Sequence, residues 1–238
     1  MKIKIEKTII AVSKNRKEKN LLIRGTTIEV EDDNILFRSM DNYRIAIIKQ
    51  KLKEKYEKMN SLVPGTTLEE VLKIIKGDIN KEVTIYFNEN LIVFEFENSI
   101  LVSTLINAKN INVDRLLNNE YKTRVLIDRK NLSESINRTK NYINRIEEKP
   151  VLFNIKENKM IVTLQSINGD YKEEIPIKMT GKELMIGFIQ DQIYSILSVI
   201  EDSEINLYFN SSQDPLIIKD VNENYIYLIL SVSINVKQ

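Results

Sequence analysis

The run FRSMDNYRIAIIKQKLK, Phe37 to Lys53, says most about how this chain folds. Met40-Asp41-Asn42 reads as a turn, because Asp and Asn tolerate left-handed backbone and bond their own main chain. Phe37 closes an apolar strand ahead of it. Tyr43-Arg44-Ile45-Ala46-Ile47-Ile48 after it is β-branched and aromatic, the composition of a buried strand. The stretch is a β-hairpin. By itself it names no function.

Its neighbours extend the pattern in both directions. Leu21 to Glu31 and Asn34 to Met40 read as strands joined by an Asp32-Asp33-Asn34 turn, and Tyr43 to Leu52 as a third strand. Met1 to Ser13 reads as a helix despite the alternation of Lys2-Ile3-Lys4-Ile5, and Lys14 to Asn20 as a polar loop. Thr66 or Thr67 is placed to cap the next helix, each with a Glu three residues on (Glu69 or Glu70), the capping-box spacing. Leu68, Val71, Leu72 and Ile75 recur at helical spacing, so one face of this helix is buried, and Gly77 ends it. Strands over 82–88, 91–97 and 99–106 complete a first unit.

That unit is then repeated. Leu62 to Phe87 aligns without a gap on Leu184 to Phe209, and Glu82 to Asn88 falls on Glu204 to Asn210, at a constant offset of 122 residues (184 − 62). Such self-similarity sets the architecture. The second unit is expected to open with a strand at Thr123 to Ile127 and a helix capped by Asp128, with Leu132, Ile136 and Ile143 facing inward. Strands over 150–156, 159–166 and 171–178 follow, Gly169 serving the last turn. A helix over about 190–201 buries Ile193, Ile196, Leu197 and Ile200, and strands over 204–210, 215–220 and 225–234 finish the chain. Asn107 to Lys122, polar and asparagine-rich, is the connector. The fold class is α+β: two tandem domains, 1–107 and 122–238, each with two helices on an antiparallel sheet.

Composition removes whole classes of chemistry. The 238 residues are 42% hydrophobic and 29% charged, as in a globular chain, and no apolar run approaches the length of a membrane span. There is no cysteine and no histidine. Disulfides, thiolate nucleophiles, imidazole bases and His/Cys zinc sites are therefore excluded. The six glycines form no phosphate cradle. No paired-Asp motif singles out any carboxylate. The reading is of a cytoplasmic protein without catalysis, cofactor or metal, a carboxylate-metal hydrolase being a distant third possibility. Net charge is only +1, yet residues 1–24 carry eight Lys or Arg against Glu6 and Glu18.

Asp41-Asn42-Tyr43-Arg44-Ile45-Ala46 resembles the Asp-Gly-Tyr-Arg-Leu-Ala turn and strand in the middle domain of the bacterial DNA polymerase III β subunit, the sliding clamp. Glu6 to Lys14 resembles that domain's first helix, and Val63-Pro64-Gly65-Thr66-Thr67-Leu68 the approach to its second. Phe94 to Asn98, Leu105-Ile106 and Tyr225 to Ile229 continue the likeness in order, over nearly the whole chain. The resemblance implies two tandem DNA-clamp-type domains that match the family's middle and C-terminal domains, the N-terminal one and the strand before the first helix being absent. It also implies a sheet edge in the first domain that another subunit's strand would cover. Family clamps close six domains into a circle, so two-domain subunits would need three copies. A trimer is favoured, with a dimer or monomer as the other possibilities.

The function so implied is a processivity factor that encircles duplex DNA without reading its sequence and tethers polymerase and other clamp-motif proteins, with a clamp loader as a further partner. By position, the peptide pocket would take Ile23, Met40, Asp41, Asn42, Tyr43, Arg44 and Ile45 from the first unit. From the second it would take Leu230, Ser231, Val232, Ser233 and Ile234. Ile23, Ile45, Leu230, Val232 and Ile234 would be apolar wall, with Tyr43 and Arg44 the rim. The chain departs from the family at Leu230 to Ile234, where a proline and an arginine are missing. Asn42 replaces a glycine, Met40 a threonine and Asn118 a proline. Candidates for phosphate contact are Lys2, Lys7, Lys14, Arg16, Lys17, Lys73, Lys76, Arg138, Lys140 and Arg145, on or beside the four helices. The alternative is a non-ring adaptor that keeps the pocket and does not encircle DNA.

Overall fold

The computed structural model describes residues 2–15, 17–75, 83–108, 113, 117, 120–143 and 149–234. They divide into two compact units, Met1–Asn112 with Glu223–Tyr225, and Val113–Asn222 with Ile226–Gln238. Among the described residues no helix is long and apolar enough to cross a membrane.

Unit 1 opens with helix α1 (Lys2–Ile9), shorter than the predicted Met1 to Ser13. It ends early because Ala11 and Val12 donate to Thr8 and Ile9 (3.0 and 3.1 Å), tightening the turn, and Ser13 N–H crosses to the Ile23 carbonyl (2.8 Å). The expected strand at Leu21 begins instead as a 3₁₀ turn, Leu21–Arg24. Asn20 Oδ1 accepts from Leu22 N–H (3.1 Å) and holds the backbone out of a ladder.

Strand β1 (Gly25–Met40) pairs antiparallel with β2 (Arg44–Pro64), with register shifts on both sides of Asp32. Sixteen residues of straight strand would span roughly 50 Å. Yet the Thr26 and Ser39 hydroxyls are 2.8 Å apart, and Arg38 Nη2 lies 3.8 Å from Glu29 Oε2. The chain doubles back at Asp32, which takes a positive φ of 53°. The predicted turn there is real, set inside one continuous strand. β2 runs well beyond the predicted Leu52, through a largely exposed polar stretch that lacks the alternation that would announce it. Tyr43 belongs to the turn before it.

Helix α2 (Gly65–Ile74) corrects the predicted cap. Neither threonine caps it; Pro64 stands at the N-cap with no side-chain bond, and Thr67 Oγ1 pairs with Ser103 Oγ at 2.6 Å. Gly65 permits this start, since a Cβ there would lie 2.7 Å from Val12 Cγ1. Leu68, Val71 and Ile75 are buried as expected, while Leu72 is half-buried. Gly77 lies outside the described residues. Strands β3 (Thr84–Phe87), β4 (Leu91–Phe96) and β5 (Ser99–Thr104) form a three-stranded sheet in that order. The helices rest on each other and on β1 and β2. Ile5, Ala11, Val63, Leu68, Val71, Ile92 and Phe94 are shut off from solvent, each of the larger side chains contributing up to about 2–3 kcal/mol.

Unit 2 follows the same plan with more strand. Asp128 ends β6 (Thr123–Asp128) and caps α3 (Arg129–Thr139), its Oδ1 accepting from Asn131 N–H at 2.7 Å. The helix stops at Thr139, so Ile143 is beyond it and only half-buried, not on its inner face. Strands β7 (Val151–Lys156), β8 (Lys159–Ser166) and β9 (Gly169–Gly181) are successive antiparallel neighbours. Gly169 takes φ +125°, which suits only glycine, at the reversal into β9. β9 then leaves β8 and pairs with β6.

Strand β10 (Leu184–Phe188) was not anticipated; it pairs with β7, Phe188 stacking 5.3 Å from Phe153. It pushes α4 (Gln190–Val199) three residues later than the constant offset would place it, 65 + 122 being 187. Ile193, Ile196, Leu197 and Ile200 are buried as expected. β11 (Glu204–Phe209), β12 (Leu216–Lys219) and β13 (Tyr225–Ile229) complete the unit, in sheet order β13-β12-β11-β6-β9-β8-β7-β10. The last strand stops at Ile229, not 234, because among the described residues that follow only Val232 finds a ladder partner, Gly187.

Candidate clamp surfaces

In unit 1 the turn after β1 is built around one carboxylate. Asp41 Oδ1 accepts from the N–H groups of Tyr43 (2.9 Å) and Arg44 (3.0 Å), and Asp41 Oδ2 takes Arg44 Nε at 2.9 Å. Asp41 N–H closes the hairpin onto the Arg44 carbonyl (3.0 Å). The bonding corrects the expected role of Arg44. Its side chain is only 9% exposed and braces the turn, because a buried guanidinium needs a carboxylate partner. Ile23 and Ile45 are core, at 3% and 7% exposure, and do not form an open wall. Met40 is half-buried. Tyr43, 43% exposed, and Asn42 are what the turn presents to solvent.

In unit 2 the segment after β13 lies along β10. Val232 N–H donates to the Gly187 carbonyl at 2.9 Å. A Cβ on Gly187 would meet Leu152 Cδ2 at 3.2 Å, Ile234 Cγ1 at 3.3 Å and Pro150 Cβ at 3.4 Å, so this glycine lets Ile234 lie close over the strand. Leu230 is 44% exposed, Ser233 exposed, and Ser231 and Val232 half-buried. Pro150, Leu152 and Gly187 are contributors that sequence reasoning missed. The only available signal was a glycine inside a strand-like run, which marks a close approach.

The basic candidates are differently placed. Lys2 and Lys7 are on α1, with Lys14 and Lys17 in the loop after it; Lys140 follows α3. Arg16, Lys76 and Arg145 lie outside the described residues. Lys73 on α2 is held by Glu70 at 2.7 Å. Arg138 is more deeply engaged: its Nη2 donates to both Glu173 oxygens (2.6 and 2.9 Å), its Nε reaches Tyr171 Oη (3.3 Å), and Tyr171 Oη donates to Glu173. Ser135 Oγ lies 3.1 Å from that phenol. Burial opposes ionisation of Glu173, but the hydrogen bonds from Arg138, Tyr171 and Ser135 outweigh it and hold its carboxyl below the usual range. Burial, then the Glu173 contact, pushes the Tyr171 phenol up. The network bolts α3 to β9. Among the described residues no group of three or more acidic side chains is placed to hold a metal ion.

Residues 1–110 match the central domain of the DNA polymerase III beta subunit, and residues 114–233 match its C-terminal domain. The chain belongs to the DNA polymerase III beta subunit family. The beta sliding clamp of Bacillus subtilis (strain 168) is 27% identical over 241 residues, covering 96% of this chain and 61% of that one. Among solved structures, a DNA polymerase III beta subunit from Eubacterium rectale is 36% identical with a TM-score of 0.94, and the sliding clamp of Bacillus subtilis 27% identical with a TM-score of 0.92. Each covers 98% of this chain, which spans 63% and 62% of theirs. The chain thus covers less than two thirds of these beta subunits, and what it matches is their central and C-terminal domains.

Proposed function

We propose that this chain is a sliding-clamp subunit: several copies encircle duplex DNA without reading its sequence and tether a polymerase by binding a short peptide of it. The observation that carries this reading is the tandem match to the beta subunit's central and C-terminal domains. The Tyr43 turn of unit 1 and the Leu230–Ile234 segment of unit 2 are each candidate peptide-binding surface, Tyr43 and Leu230 presenting exposed apolar area. Lys2, Lys7, Lys14, Lys17 and Lys140 supply sequence-independent attraction to phosphates. A head-to-tail contact either closes or runs on as a filament, and three two-unit copies make the closed assembly.

The test is native mass by light scattering across a concentration series, joined to retention on circular and linearised DNA. A trimer that stays on circles and slides off linear ends is the expected result. A monomer at every concentration would overturn encirclement. The alternative, an adaptor that binds clamp-motif peptides without a ring, draws support from Lys73 and Arg138, whose charges already face Glu70 and Glu173.

A further inference from the structure

The sheet face of unit 2 that looks away from its helices carries a cluster of cations and tyrosines. Alternation along β6 turns Val125 and Ile127 into the core, and Ile177 and Leu207 join them from β9 and β11. Arg124 and Leu126 therefore share the opposite face, with Lys122 just before them. Arg124 stands across from Tyr208 on β11 and Thr180 on β9, and Leu126 across from Asn206 and Lys178. Lys182 follows the end of β9, its carbonyl accepting from Thr123 Oγ1 (2.7 Å). Lys122, Arg124, Lys178 and Lys182 are all exposed. Two carboxylates of this face, Asp128 and Glu204, stand opposite each other at its far end, and Asp128 Oδ1 is taken up by the α3 cap.

Arg124 is held in place. Its Nε donates to Asn206 Oδ1 (3.0 Å), and its guanidinium carbon lies 5.8 Å from the centre of the Tyr208 ring. Its two terminal NH2 groups make no hydrogen bond among the described residues, so the guanidinium is fixed with its fork open. Tyr208 packs 4.8 Å from Tyr121, and Lys219 Nζ lies 5.4 and 5.6 Å from the Tyr121 and Tyr208 rings. Among the described residues Lys122, Arg124, Lys178 and Lys182 form no ion pair, unlike Arg138 on α3 and Lys159 on β8, each of which holds a glutamate. Cations two apart on a strand, or diagonal across a strand pair, stand about 7 Å apart, the spacing of alternate side chains along an extended chain. A preorganised guanidinium with an open fork recognises a carboxylate or a phosphate.

We infer that this face of unit 2 is a docking surface for an extended acidic segment of a partner protein, with Glu or Asp at alternate positions. One carboxylate sits in the Arg124 fork, and those two places before and after it meet Lys122 and Lys178. Lys182 adds to the field. The rings decide for a peptide over a single strand of nucleic acid. Tyr121 and Tyr208 are packed against each other and beneath Arg124 and Lys219, whereas a single strand needs open ring faces for its bases. None of the four unpaired cations is among the residues proposed for the clamp peptide or for DNA, so this surface stands or falls apart from that reading.

The probe is a fluorescein-labelled peptide of alternating Glu and Ser, titrated with the full chain at low salt and followed by fluorescence polarisation. Saturable binding that weakens as salt is added is expected. Arg124→Gln should weaken it roughly tenfold, and Arg124→Lys, which keeps the charge and loses the fork, by less. Lys130→Gln removes the same charge from α3, on the helical side of unit 2, and should leave binding as in the wild type. Three results would overturn the inference: no binding of the peptide, equal losses in Arg124→Gln and Lys130→Gln, or an oligothymidylate that displaces the peptide and itself loses affinity with Arg124→Gln.

Discussion

Asp41 holds the turn of the hairpin, since its two oxygens serve two backbone amides and one buried guanidinium. Asp41→Ala leaves Arg44, 9% exposed, without that carboxylate and opens the turn. A loss of about 2 kcal/mol in denaturant unfolding is expected, with Asp41→Asn, which keeps one acceptor for the amides, losing less. Tyr43 and Leu230 differ in kind from their neighbours. At 43% and 44% exposed they touch solvent, not core, so their removal should spare stability. Tyr43→Ala with Leu230→Ala is expected to abolish binding of a clamp-motif peptide, measured by fluorescence polarisation, with unfolding unchanged within about 0.5 kcal/mol. Unchanged affinity would place the peptide elsewhere. The sequence marked Tyr43 and Arg44 together as rim. Only the fold separates them: Tyr43 stays in the turn, open to solvent, while Arg44 begins β2 with its guanidinium bonded back to Asp41.

Helix α3 is tied to strand β9 by a titratable group, and that tie responds to pH. Glu173 is depressed below its ordinary value of 4.5 in the folded chain. Its contribution is therefore present above the unfolded value and is lost as pH falls through the folded one. Glu173→Gln should cost stability at neutral pH and flatten the decline of Tm below about pH 4.5, the wild type and variant converging in acid. A constant gap across that range would mean that the bond acts by geometry alone. Strand approach sets a second, graded test. A Cβ on Gly25 would sit 2.3 Å from the Val63 carbonyl oxygen, an immovable backbone atom, whereas Gly187 meets side-chain ends at 3.2–3.4 Å. Gly25→Ala should destabilise by about 3 kcal/mol and Gly187→Ala by about 1 kcal/mol, read from urea midpoints. Helical periodicity marked the buried faces of α2 and α4 correctly, since a one-sided helix must show its spacing. The Asp128 cap was legible, being local, whereas the start of α2 and β10 were not, because Thr67 and Leu184–Phe188 take their roles from Ser103 and β7, far along the chain.

For the molecule as a whole the decisive quantity is charge placement, because a net charge of +1 gives no attraction by itself. Replacing Lys2, Lys14 and Lys17 together with Gln should reduce the slope of log affinity against log salt for duplex DNA by about 0.9 for each phosphate contact removed. An unaltered slope would take the first helix and its loop out of DNA binding. The repeat and the α+β class were written in local features: a gapless offset of 122 residues, one-sided helices, and Asp-rich turns at Asp32 and Asp41. These depend on nearest neighbours and so survive in a one-dimensional string. What waited for the tertiary structure was every property set by residues distant in sequence. The doubling back of β1 brought Thr26 to Ser39, Gly187 came under Ile234, and Arg138 was drawn to Glu173. Which side chains are paired and which are buried is decided by those meetings, since burial and pairing belong to the folded neighbourhood and not to the residue.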